Sequence, residues 1–157
     1  MAKLFEWISE YDVGIVEIDE QHLMLVELLN ELDEAIRNHR GSKAVRGILG
    51  ELLEYTRNHF SLEERLMLET GYPAYAEHCE YHAKFVNQVA ELQNKVDKGE
   101  GAITFELLHF LRVWLVRHIC GVDKEFANWY FDHGSKPNWM DKAHAEMKKK
   151  RWWQFWK

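Results

Sequence analysis

Seven side chains of metal-ligand type stand at spacings that could bring them together: His22, the pair His59 and Glu63, the pair His78 and His82, and the pair His118 and Asp123. Imidazole suits zinc, copper and iron, and a carboxylate can bridge two ions. Two of the pairs are four residues apart, so on a helix both partners share a face. Such pairs bring two ligands to one ion with little reorganisation. Five imidazoles and two carboxylates exceed what one tetrahedral zinc takes. Two five- or six-coordinate ions that share both carboxylates would use the whole set, leaving a solvent-derived bridge and one open position. A single inward-facing histidine is more often a hydrogen-bonded core residue than a ligand. Seven such groups at one place are a different matter, because burying that many polar groups without partners is very costly. The remaining histidines His39, His109, His133 and His144 show no such pattern and read as surface or ordinary packing residues.

His118 and Asp123 differ from the other pairs. At about 100° per residue, a spacing of five leaves them about 140° apart on a regular helix. If both serve one site, the backbone between Ile119 and Asp123 must depart from the α-helix. A π-bulge, eased by Gly121, is the expected departure, and such bulges concentrate at functional sites.

The elements that carry these groups follow from the apolar pattern. His22, Leu25, Leu29, Leu32 and Ile36 form one stripe on a first helix, starting near Asp19 as its cap and ending at His39-Arg40-Gly41. Ile48, Leu52, Tyr55, His59, Leu62 and Leu66 mark a second, with Ser42 as cap and Gly71 after its last turn. Pro73 suits the first turn of a third, striped by Tyr75, His78, His82, Phe85, Val89, Leu92 and Val96 and closed by Gly99. Thr104 is placed to cap the fourth, whose stripe runs from Leu108 through Leu115, His118, Val122 and Phe126 to Trp129. His133-Gly134 breaks it. Met1 to Ile18 reads as an irregular arm in which Trp7, Tyr11, Val13, Ile15 and Ile18 cover the end of the domain, with Gly14 in a turn. The fold class is all-α: an up-down-up-down antiparallel four-helix bundle with an N-terminal arm and a C-terminal helical extension. In that arrangement the ligands, early in the first and third helices and late in the second and fourth, fall at one end and face inward.

Composition narrows the class. The chain has 157 residues and two prolines, enough for one domain with a real core. Its net charge is −6, and Asn138 to Lys157, with six Lys/Arg against two Asp/Glu, contributes +4, so the rest carries −10. An acidic body has no general footprint for nucleic acid. Cys79 and Cys120 match no metal-binding cysteine spacing and read as ordinary, partly buried residues. The first residues lack a signal-peptide apolar run, and the apolar stretch Phe105 to Val122 is broken by charged residues. A cytoplasmic protein is expected.

The sequence resembles the hemerythrins in their bacterial branch, from about Trp7 to Gly134. The likeness rests on Val13-Gly14-Ile15, Ile18-Asp19-Glu20-Gln21-His22, His59-Phe60-Ser61-Leu62-Glu63-Glu64, and the His78/His82 and His118/Asp123 pairs. The resemblance implies two iron ions, cycling between Fe2+ and Fe3+, with an oxo or hydroxo bridge. It assigns His78, His82 and His118 to one ion, His22 and His59 to the other, which keeps an open position, and Glu63 and Asp123 to both. It implies dioxygen as the ligand, bound reversibly, and a dry pocket of Leu25, Phe60, Trp114, Leu115 and Ile119 around it. Reversible dioxygen binding for carriage, storage or delivery is the function it favours. An oxygen or redox sensor, or a di-iron enzyme acting on peroxide or nitric oxide, is the alternative.

Residues 1–133 are read as the bundle domain and 134–157 as an extension. Asn138 is placed to cap a further helix, and Lys149, Lys150, Arg151, Trp152, Trp153, Phe155 and Trp156 follow on it. A basic cluster beside Trp and Phe has the composition of an interfacial anchor at the inner face of a membrane. The same residues suit an acidic protein partner. A helix folded back over an apolar strip of the bundle is the third reading.

Overall fold

The structure is a computed structural model that describes residues 3–99, 103 and 105–155, with side chains up to Lys149. Its helices are α1 (Val16–Arg37), α2 (Ser42–Thr70), α3 (Tyr75–Asp97), α4 (Phe105–His118), α5 (Lys124–His133) and α6 (Trp139–Phe155). A π-helical turn over Ile119–Asp123 joins α4 to α5, so these two make one long rod. The fold is the all-helical bundle expected from the apolar stripes.

Each stripe faces inward. On α1, Leu25, Leu29 and Leu32 are buried, and on α2 so are Ile48, Leu49, Leu52, Leu62 and Leu66. Val89 of α3, Leu108 and Leu111 of α4, and Phe126 of α5 complete the same core. The helices are joined by short connections, which leave antiparallel packing as the direct solution. Gly71 ends α2 in the left-handed region at φ 76°, which a β-carbon disfavours. The amides of Gly71 and Tyr72 close the end on the carbonyls of Leu68 and Met67.

Several helix starts lie elsewhere than the sequence suggested. α1 begins at Val16, so Ile18 belongs to the helix rather than the arm. Asp19 does not cap it. From the first turn its carboxylate reaches back and accepts the N–H groups of Val13 (2.7 Å) and Gly14 (3.1 Å), which fixes the incoming chain. Ser42 is the first residue of α2, and Gly41 stands in the cap position. Pro73 lies in the turn before α3, not in its first turn. The cap expected of Thr104 falls outside the described residues.

The arm packs as expected. Val13 and Ile15 are buried, while Trp7 and Tyr11 lie half-buried against the core. Gly14 sits at φ +100°, and a β-carbon there would also meet the Phe131 ring at 3.1 Å. Phe5 is an anchor the apolar pattern did not single out: it is 2 % exposed, and Asn30 bonds both its N–H and its carbonyl.

α6 folds back on the bundle. Met140, His144 and Met147, at steps of four and three, form its inner stripe and are buried. Trp139 lies under the Arg65 guanidinium of α2 and donates its indole N–H to Glu69 at 2.5 Å. Lys136 pairs with Glu17 and Asp141, and Lys148 with Glu20. Of the tail residues read as a docking surface, Lys149 is exposed. The side chains of Lys150, Arg151, Trp152, Trp153 and Phe155, and Trp156 as a whole, lie outside the described residues. Among the described residues no helix is long and apolar enough to cross a membrane.

Candidate metal centre

All seven ligand candidates meet at one end of the bundle, and none is more than 6 % exposed. His22 comes from the start of α1, His59 and Glu63 from the second half of α2, and His78 and His82 from the start of α3. His118 ends α4 and Asp123 ends the π-helical turn. The wider turn rotates Asp123 back toward His118, bringing its Oδ1 to 3.1 Å from His118 Nε2. A spacing of five thereby serves one site.

The seven divide into two groups that share both carboxylates: His22 and His59 with Glu63 and Asp123, and His78, His82 and His118 with the same two. Each carboxylate turns one oxygen to each group. Glu63 Oε1 lies 2.9 Å from His59 Nε2 and 3.3 Å from His22 Nε2, while its Oε2 lies 3.2 Å from His82 Nε2. Asp123 Oδ2 lies 3.1 Å from His22 Nε2, and its Oδ1 lies 2.9 Å from His78 Nε2. His82 and His118 bring their Nε2 atoms within 3.0 Å of each other.

The histidine–carboxylate contacts are close without being hydrogen bonds. His22 Nε2, His78 Nε2 and all four carboxylate oxygens have no hydrogen-bond partner, although nitrogen and oxygen stand about 3 Å apart. Their lone pairs are aimed at common points, not at one another. Buried polar atoms left so are costly unless a cation gathers them. Two ligands about 2.1 Å from an ion and at right angles to each other stand about 3 Å apart, the spacing these donors keep. The residues therefore fit a pair of metal ions.

The electrostatics point the same way. Burial alone pulls the His22 imidazole down, but the carboxylates of Asp123 and Glu63 outweigh it and lift it to about 9. Burial likewise opposes His82, which Glu63 and Glu64 raise to about 9. For His59 burial prevails and the shift is downward. Burial pushes Glu63 and Asp123 up, yet the facing imidazoles hold both well below the ordinary carboxylate range. Both carboxylates are thus held ionised, the state a cation needs.

Around this set lies a layer that ligand spacing does not reveal. Gln21, fully buried beside His22, accepts a hydrogen bond from His59 Nδ1 at 2.7 Å. His144, read from the sequence as a surface or ordinary packing residue, bonds the other end of the Gln21 amide. Its place on a stripe with Met140 and Met147 was the signal available. Glu64 faces His82 Nδ1 at 3.5 Å. Cys79 is half-buried beside Glu64, and burial pushes its thiol up to about 11. Cys120, expected to be partly buried, is exposed.

Of the expected pocket residues, Phe60 and Trp114 lie against histidine rings. Phe60 stacks on His82 at 3.7 Å, and Trp114 stacks on His118 at 4.5 Å and on Phe85 at 3.8 Å. Both rings therefore lie against the three-histidine group. Leu25, Leu115 and Ile119 are buried.

The profile of the Hemerythrin HHE cation binding domain matches residues 13–130. The chain belongs to the hemerythrin family. It is 38 % identical over 125 residues to a bacteriohemerythrin of Stenotrophomonas maltophilia, covering 80 % of each chain. It is 33 % identical over 127 residues to one of Methylococcus capsulatus, covering 81 % of this chain and 96 % of that one. A crystal structure of wild-type hemerythrin aligns with a TM-score of 0.75 at 32 % identity, over 80 % of this chain and 96 % of the other. This hemerythrin-family chain thus has the bundle of its relatives and, at one end, a buried cluster of histidines and carboxylates able to hold metal.

Proposed function

We propose that the protein binds dioxygen reversibly at a two-iron centre, for carriage, storage or delivery. The observation that carries this is the sharing of Glu63 and Asp123, one oxygen to each histidine group. In this reading His22 and His59 hold one ion, and His78, His82 and His118 the other. The two-histidine position has the smaller donor set, which leaves room for an external ligand. Two iron ions there would supply the redox change by which dioxygen is taken up and given back.

The chain's own part is to hold the donors and keep the site dry. Glu63 and Asp123 bring negative charge to a buried place, which favours cations over neutral occupants. Phe60 and Trp114 lay flat rings over His82 and His118, fixing their planes and covering them from solvent. Leu25, Leu115 and Ile119 add apolar walls without a proton donor. A dry site protects reversibility, because water and protons promote irreversible loss of reduced oxygen.

Anaerobic loading with Fe(II), exposure to air and removal of oxygen test this. A coloured form that appears with air and bleaches on its removal, over several cycles, is the expected result. Rapid irreversible oxidation would overturn carriage in favour of sensing. Turnover of peroxide or nitric oxide would overturn it in favour of an enzyme.

A further inference from the structure

We infer that His144 of α6 is a positioning residue for the metal centre, acting on His59 through the Gln21 amide. The inference rests on the two-ion reading of the site. His59 turns Nδ1 to the Gln21 amide oxygen at 2.7 Å, so Nδ1 is the donor there and Nε2, facing Glu63, is the nitrogen left for the centre. The Gln21 amide is thereby oriented, and its Nε2–H donates to His144 Nδ1 at 2.9 Å. His144 then carries its proton on Nε2 and donates to Glu20 Oε2 at 2.6 Å. Lys148, one turn further along α6, reaches the same oxygen at 2.5 Å. Every donor in this chain meets an acceptor, and the direction of each bond fixes the next.

The relay gives α6 a purpose that apolar cover does not explain. Without an acceptor at Nδ1 of residue 144, the Gln21 amide could turn and present N–H to His59. His59 would then lose the partner that keeps its proton on Nδ1 and its Nε2 free. A metal-bound histidine depends on such a partner for tautomer and ring orientation. The effect falls first on the position held by His22 and His59, because the relay reaches His59 directly and His82 only through Glu63. Whatever lifts α6 from the bundle would be felt first at that position.

The test uses the full chain and two substitutions. In the metal-free wild type, nitrogen-15 NMR of the His59 ring should show a single tautomer with the proton on Nδ1. His144→Leu removes the acceptor and should give mixed tautomers. His144→Gln has an amide oxygen and nitrogen that can span the same two partners, and it should restore the single form. In anaerobic titration with Fe(II) alone, wild type and His144→Gln should take up two ions. His144→Leu should bind the second ion about 10- to 100-fold more weakly and the first unchanged. A structural role in packing α6 would lower the unfolding temperature and move neither readout. His144→Leu with wild-type tautomer and second-ion affinity therefore overturns the proposal. So does His144→Gln as impaired as His144→Leu. A wild type that takes up one ion would overturn the two-ion reading instead, and the His59 tautomer would then decide the relay alone.

Discussion

Glu63 faces both histidine groups. Its two oxygens face opposite sides of the cluster, and the side chain is closed off from solvent. Glu63→Gln keeps the volume but removes the charge and replaces one acceptor by a donor. Anaerobic iron uptake should fall from two ions to at most one, with helix content unchanged. Retention of two ions would sink the bridging role. Ile119 is a different kind of contributor, fully buried at the start of the π-helical turn beside His118. Ile119→Ala should cost about 2–5 kcal/mol of stability, the usual range for a large apolar side chain cut back in a core. It should also hasten irreversible oxidation of the iron-loaded protein, because the space opened lies beside a ligand. Denaturant titration and the decay of the coloured form measure the two effects separately.

At the scale of elements, the turn over Ile119–Asp123 is legible in the spacing alone, because ligands five apart cannot serve one site on a regular α-helix. Gly121 does not have the easing role expected of it. A β-carbon there would meet nothing, and the residue does not lie in the left-handed region. The extra residue in the turn, not the glycine, accommodates the spacing. Gly121→Ala should therefore leave metal uptake intact and raise stability by up to about 1 kcal/mol through lost freedom of the unfolded chain. Loss of metal in that variant would restore the glycine to importance. The four stripes and the end at which the ligands meet are equally readable, since periodicity and short connections determine both. Helix starts are not, because Asp19 and Ser42 are capping types that the structure uses otherwise. The outer layer is hidden for another reason. Gln21 and His144 stand 123 positions apart, and only the docking of α6 makes them neighbours.

The whole molecule is a bundle whose histidine–carboxylate end is braced by its own C-terminal helix. Part of that brace is electrostatic and open to solvent, so pH should reveal it. The Trp139 indole bond holds Glu69 below the ordinary carboxylate range, against desolvation and with Arg65 in support. Lys148 and His144 hold Glu20 down in the same way. A carboxyl depressed in the folded state contributes stability that is present above its unfolded pKa and lost as pH falls through the folded one. The contribution of the Glu20 and Glu69 carboxylates should therefore be constant at neutral pH and weaken only on acidification below the ordinary glutamate value. The Trp139 indole N–H resonance reports this directly, since it moves when its acceptor Glu69 takes a proton. Its midpoint should lie below that of an unperturbed glutamate. Glu69→Gln should abolish the transition while leaving an indole hydrogen bond to the amide oxygen. A midpoint at or above the ordinary value would mean that Glu69 gains nothing from α6.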